Sequence, residues 1–129
     1  MLVIDEVGLI FEDATIRRFV VGLARRIRKY HGSLVFATQN PGDLLSSDQG
    51  AVVATNPALL LFGAQRPSEA AKLQQAFQLS PQQRGSLESA HRGDFLLAAG
   101  SDRVAVRVKA PPWQEAVMRE ARSAARPPP

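Results

Sequence analysis

Two carboxylates and one amide are the side chains of this sequence best placed to do chemistry. The apolar run Met1-Leu2-Val3-Ile4 ends in Asp5-Glu6, and a second run, Leu34-Val35-Phe36-Ala37-Thr38, ends in Gln39. Open α/β sheets bind ligands outside the carboxyl ends of their strands, where both polar ends would fall. At such a rim one carboxylate can orient the water shell of Mg2+, and a second can accept a proton from an attacking water. A neutral amide can donate to a phosphate oxygen and position that water. Each residue also has a plainer reading: an acidic pair at a strand end caps a turn or helix, and a glutamine before Asn40-Pro41 opens a turn. Two polar strand ends together are more specific than either alone.

The elements that must position these groups follow from pattern and punctuation. Leu2 to Asp5 reads as a short, continuously apolar strand of the parallel kind that is covered on both faces. Asp13 is placed to N-cap a helix, and Ile16, Phe19, Val20, Leu23, Ala24, Ile27 and Tyr30 fall on one stripe of it. Gly32 is the expected left-handed stop. Ser33 to Thr38 reads as a second buried strand, ended by the turn Gln39-Asn40-Pro41-Gly42. Asp43 to Thr55 is a loop and short helix, broken by Asn56-Pro57, and Ala58 to Gly63 is a third buried strand. Ser68 is expected to cap a helix through about Gln78. Ser80-Pro81-Gln82-Gln83 starts another with a capping box, and that helix ends near His91-Arg92-Gly93. Phe95 to Ala99 and Arg103 to Lys109 form a hairpin around Gly100-Ser101-Asp102. Val104, Val106 and Val108 are expected on its buried face, with Arg107 and Lys109 on the wetter one. After Pro111-Pro112 a last helix runs from about Trp113 to Ala125, with Trp113 pinning it to the body.

These elements make an α/β domain with a mainly parallel sheet flanked by helices, to which a C-terminal β-hairpin and helix are appended. Residues 1–110 form the core, 111–126 the C-terminal helix and 127–129 a disordered tail. The 129 residues allow one domain with a substantial core. The net charge of +4 permits an acidic partner such as nucleic acid, although arginine-rich composition alone gives the same number. Arg103, Arg107 and Lys109 could touch a nucleic-acid backbone, or simply be a solvated strand face. The absence of cysteine excludes disulfides and thiolate metal sites. His31 and His91 have no ligand spacing, and no run reaches the roughly 18 apolar residues of a membrane span.

An apolar strand ending in Asp-Glu is also the form of the second nucleotide motif of a P-loop ATPase. The segments Leu2-Val3-Ile4-Asp5-Glu6-Val7, Leu23 through Tyr30, Leu34-Val35-Phe36-Ala37-Thr38-Gln39 and Asp43-Leu44-Leu45 occur in the order found in one group of these. With Gly93-Asp94-Phe95-Leu96-Leu97 as a late strand, the chain resembles the conjugative-transfer ATPases of type IV secretion systems. These fall within the wider FtsK/HerA group of RecA-like motors. The resemblance runs from Leu2 to about Val117. It implies a partial RecA-like P-loop NTPase core from Walker B onward, with Asp5 and Glu6 as the Walker B pair. Asp5 would hold Mg2+ through water, Glu6 would act as general base, and Gln39 would be the catalytic sensor amide that also contacts ATP. It also implies that Arg28 reaches the nucleotide of a neighbouring subunit, where a cation stabilises transition-state charge. On residue pattern alone, Arg28 is equally a solvated arginine on a helix carrying Arg17, Arg18, Arg25 and Arg26.

Two departures stand out. No G-x-x-x-x-G-K-[ST] phosphate loop occurs in the sequence. Position 8, where relatives often carry a large aromatic, is Gly8. Without phosphate-cradling amides and a lysine, two carboxylates do not hold a nucleotide tightly, so the chain alone is expected to be catalytically silent. For the full-length protein the resemblance implies an ATP- and Mg2+-dependent homo-oligomer, a hexamer, working with type IV secretion inner-membrane components and DNA. Its place would be cytoplasmic, peripheral to the bacterial inner membrane. A DNA-translocating pump of the same superfamily is the second reading. The third is a non-enzymatic, truncated remnant that binds ATPase subunits. In RecA-like sheets the phosphate-loop strand lies between the strand ending in the sensor and the next, so a gap is expected between Leu34–Thr38 and Ala58–Gly63, with unpaired apolar edges.

Overall fold

A computed structural model describes residues 1–124. The chain opens with β1 (Leu2–Ile4), a single helical turn α1 (Val7–Ile10) and α2 (Ala14–Arg26), which tightens into a 3-10 turn at Ile27–Tyr30. Next come β2 (Leu34–Phe36), α3 (Pro41–Leu45), α4 (Asp48–Thr55) and β3 (Leu59–Phe62). Helices α5 (Pro67–Phe77) and α6 (Pro81–Glu88) lead into strands β4 (Asp94–Ala99) and β5 (Asp102–Arg107), and α7 (Pro112–Ala124) follows. The tail expected at 127–129 and the end of the expected last helix, 125–126, lie outside the described residues.

Local chemistry sets several boundaries as the sequence indicates. The Asp13 carboxylate accepts from the N–H groups of Thr15 and Ile16 at 2.7 and 2.9 Å, satisfying two orphan donors at the start of α2. Those bonds hold its carboxyl below the usual aspartate range. The capping box of α6 is complete: the Gln83 N–H donates to Ser80 Oγ at 3.1 Å, and the Ser80 N–H donates to Gln83 Oε1 at 2.9 Å. Two expectations shift. His31, not Gly32, takes the left-handed conformation after α2, with φ 52°. Gly32 is needed instead for close approach, because a Cβ there would lie 2.6 Å from Ile27 Cγ1. The N-cap position of α5 is Arg66, without a side-chain cap bond and with Pro67 in the first turn, two residues ahead of the expected Ser68.

The α/β composition holds, but the mainly parallel sheet does not. β1 and β2 pair in parallel, with Ile4 opposite Phe36. β3, β4 and β5 form a separate antiparallel sheet in that order, with Phe62 opposite Leu96 and Leu96 opposite Ala105. The β1–β2 connection runs through α1, α2 and the 3-10 turn and returns the chain to the starting end, whereas α5 and α6 bring it back beside β3 in the opposite sense. The β4–β5 hairpin forms as expected, with Gly100 at φ 58° in its turn. β2 and β3 belong to separate sheets and share no ladder.

Two apolar clusters lie beneath these sheets. Val7, Phe11, Val20, Val21, Leu44 and Val53 form the first, against Ile4 and Phe36. Phe62, Leu73, Leu79, Leu87, Leu96 and Ala98 form the second, and Leu45 reaches it from α3. Phe62 and Phe77 meet edge to face with ring centroids 4.9 Å apart. Each sheet is covered on one face only. Val3 on β1 is 57% exposed, and Leu59 and Leu61 on β3 are 65% and 53% exposed. The strands expected to be covered on both faces are therefore half-covered. Val104 and Val108 also lie on the open face rather than in the core. The covered side of α2 is Val20 and Val21, with Ala24 packed against them; Val21 lies off the expected stripe, and Ile16, Phe19 and Tyr30 of that stripe are exposed. Trp113, 69% exposed, does not pin α7 to the body.

Candidate functional site

Parallel pairing of β1 with β2 brings their carboxyl ends side by side. The ladder continues past both strands: the Ala37 N–H donates to the Ile4 carbonyl at 3.0 Å, and the Val7 N–H donates to the Ala37 carbonyl at 3.0 Å. Asp5 and Glu6 are bracketed between these two bonds. The Asp5 carboxylate accepts from the Glu6 N–H at 3.0 Å, and Glu6 Oε2 accepts from the Gln39 N–H at 3.4 Å. Asp5, Glu6 and Gln39 therefore share one rim. The contact to Gln39 uses its backbone, which leaves its side-chain amide free to face solvent or a ligand.

Glu6 adopts φ 49° and ψ 47°, the left-handed region that L-residues with side chains avoid. It redirects the chain from β1 into α1 and holds the carboxylate at the rim. No pattern in the sequence marks this strain, because a strand end followed by Val7-Gly8 places the sharp turn more naturally on the glycine. At Gly8 an added Cβ would lie 3.4 Å from Thr38 Oγ1 and 3.6 Å from Asp43 Cβ. A side chain at position 8 would thus fill space next to the Gln39 loop.

Arg28 is separated from this rim. It lies in the 3-10 turn that precedes the amino end of β2, whereas Asp5, Glu6 and Gln39 occupy the carboxyl ends. Its side chain is exposed. Arg17, on the same helical segment, is not a wet residue: its guanidinium donates to the Phe11 carbonyl at 3.0 Å. On the last strand, Arg107 forks onto the Asp94 carboxylate at 2.5 and 3.1 Å, which holds the Asp94 carboxyl below and the Arg107 guanidinium above their usual ranges. Arg103 turns back to the carbonyls of Gly100 and Asp102.

The chemistry of the donor set limits what the rim can hold. Among the described residues no group of three or more His, Asp or Glu side chains is arranged to hold a metal ion. One exposed carboxylate, Asp5, suits a cation held through water but not a dehydrated ion. Among the described residues no salt bridge reaches Asp5 or Glu6, and the clefts at Thr55, Leu60, Phe77 and Arg103 and at Gln74, Arg84 and Glu88 share no residue with the rim. By themselves these residues do not fit a nucleotide triphosphate. They offer two carboxylates and one amide, and the sequence holds no phosphate loop to cradle its phosphates.

No protein-family model and no curated protein matches the chain. Among solved structures it is similar to VirB4 of Thermoanaerobacter pseudethanolicus, with a TM-score of 0.77 and 28% sequence identity. The match covers 88% of this chain and 32% of that one, so the chain spans about a third of the length of the structure it resembles. Among the described residues no helix is long and apolar enough to cross a membrane.

Proposed function

We propose that this chain is a portion of a type IV secretion or conjugation ATPase, carrying its Walker B pair and sensor. The observation that carries the reading is the meeting of Glu6 and Gln39 across adjacent parallel strand ends, on a chain similar in fold and sequence to VirB4. In this reading Asp5 orients water bound to Mg2+, and Glu6 accepts a proton from the attacking water. The Gln39 amide holds that water or a phosphate oxygen. The bound nucleotide would supply the phosphoryl group to be transferred. The reading requires a phosphate loop, which this sequence lacks. A RecA-like core would then be completed between β2 and β3, which share no ladder.

Arg28, at the opposite strand end, would act across a subunit boundary in a ring, and a hexamer would place it at a neighbour's nucleotide. The assembled motor would work at the cytoplasmic face of the inner membrane, with secretion components and the transferred DNA or protein as its partners.

The test is ATP turnover by a protein that contains this segment together with a phosphate loop. Glu6→Gln should lower kcat by about two orders of magnitude or more at little changed KM. Turnover within threefold of the parent would overturn the assignment. Strong stimulation by duplex DNA in the same assay would favour the DNA-pump reading instead.

A further inference from the structure

Helix α3 begins without a local cap. Asn40, its N-cap residue, makes no side-chain bond to the helix, and Pro41 has no N–H to offer. The first free donor is the Gly42 N–H, and it is buried. It donates to Glu69 Oε2 at 2.8 Å, from a carboxylate on α5 that is 27 residues away in sequence. The other oxygen of that carboxylate, Oε1, receives Lys72 Nζ at 2.7 Å. A Cβ at position 42 would meet Lys72 Nζ and Glu69 Oε2, the flexible ends of the two side chains, and would push them aside.

This bond fixes the loop that carries the sensor. Gln39 stands three residues before Gly42, and its own N–H donates to Glu6. The Asp43 N–H closes the intervening turn onto the Asn40 carbonyl at 3.1 Å. The short stretch from Gln39 to Gly42 is thus held at both ends by carboxylates, Glu6 from β1 and Glu69 from α5. Helix α5 also packs in the second apolar cluster through Leu73. The Glu69 carboxylate therefore ties the rim of the parallel pair to the body of the antiparallel sheet.

The geometry points to Glu69, with Lys72, as a positioning pair that sets the placement of the Gln39 loop against Glu6 by capping α3 from a distant helix. This rests on the reading of Gln39 as a sensor, and it assigns to α5 the means of shifting that sensor. The charged groups around the Glu69 carboxylate are Lys72 and Arg66 on α5 and at its cap, and Asp43 beside Gly42 on α3. The Lys72 bond is the main cause, and the Gly42 N–H a further one, that holds the Glu69 carboxyl below the usual glutamate range.

Backbone amide NMR of the whole chain tests this without nucleotide. In the Glu6→Gln variant, which removes the nearer carboxylate, the amides of both Gly42 and Gln39 should titrate in one common step below the usual glutamate range. That step should vanish from both when Glu69→Gln is added. Gly42→Ala, which keeps Glu69 but displaces it, should lower hydrogen-exchange protection of Gln39 at least tenfold and leave β4 and β5 unchanged. A step seen at Gly42 but not at Gln39, or Gln39 protection within twofold of the parent in Gly42→Ala, would overturn the proposal. The readout involves no ATP, so its failure removes the positioning role alone, whereas retained turnover in Glu6→Gln removes the ATPase assignment.

Discussion

The Gln39 N–H points at the Glu6 carboxylate across 3.4 Å, although 33 residues and a full helix separate them in the chain. The contact exists because β1 and β2 run in the same sense, so both strands deliver their last polar residues to one edge. Glu6 reaches it in a left-handed conformation. Strain stored at a residue that meets a partner strand end is a mark of a functional position, because the same fold would be easier to make without it.

Glu6→Gly should therefore raise stability by about 1 kcal/mol, since glycine occupies the left-handed region without steric cost. The same variant should abolish ATP turnover in a protein that also carries a phosphate loop. Thermal unfolding and turnover measured side by side check the opposed effects. Lower stability in Glu6→Gly would show that the side-chain contact outweighs the backbone strain.

Ser80→Ala should destabilise the chain by about 1 kcal/mol, because the Gln83 N–H loses its acceptor at the start of α6. Gln83→Ala removes the reciprocal bond to the Ser80 N–H and should also destabilise the chain. The double variant should cost less than the sum of the singles, as the two bonds form one box. Urea unfolding midpoints of the three variants give the comparison.

Asp94 sets a pH dependence. Arg107 holds its folded carboxyl below the usual aspartate range, followed by the His91 N–H. The unfolded chain therefore takes up the proton first. The contribution of the pair is complete above the ordinary aspartate value of about 4 and is lost as pH falls through the lower folded value. Asp94→Asn should lower stability at pH 7 slightly and flatten the acid limb of the stability curve by the same small amount, because Arg107 is mostly exposed. An unchanged acid limb in chemical denaturation would count against the pair.

The open sheet face should behave as a surface that wants a partner. Leu61→Lys should leave unfolding stability within about 0.5 kcal/mol and reduce self-association in light scattering, since Leu61 is solvent-exposed on β3, the edge strand of its sheet. Leu96→Ala, directly across the ladder at Phe62 but on the covered face, should cost about 3 kcal/mol. Equal costs for the two would mean that both faces are covered in solution.

Local signals in the sequence determined much of this protein. Asp13, Ser80 with Gln83, Pro81 and Gly100 each act within a few residues, through hydrogen bonds or backbone preference that do not depend on the rest of the fold. The elements that they bound are therefore found where the pattern places them. The convergence of Asp5, Glu6 and Gln39 was also legible, because neighbouring parallel strands present their carboxyl ends at one edge. Strand sense in the second sheet was not read from pattern, because it depends on where α5 and α6 pack. Tertiary structure alone decided which apolar residues are covered. Val104 and Phe19 look identical to core residues in any periodicity, and their exposure depends on whether a further layer packs there. It alone also paired Gly42 with Glu69 and put Glu6 in the left-handed region, because both follow from where α3, α5 and β1 come to rest against one another.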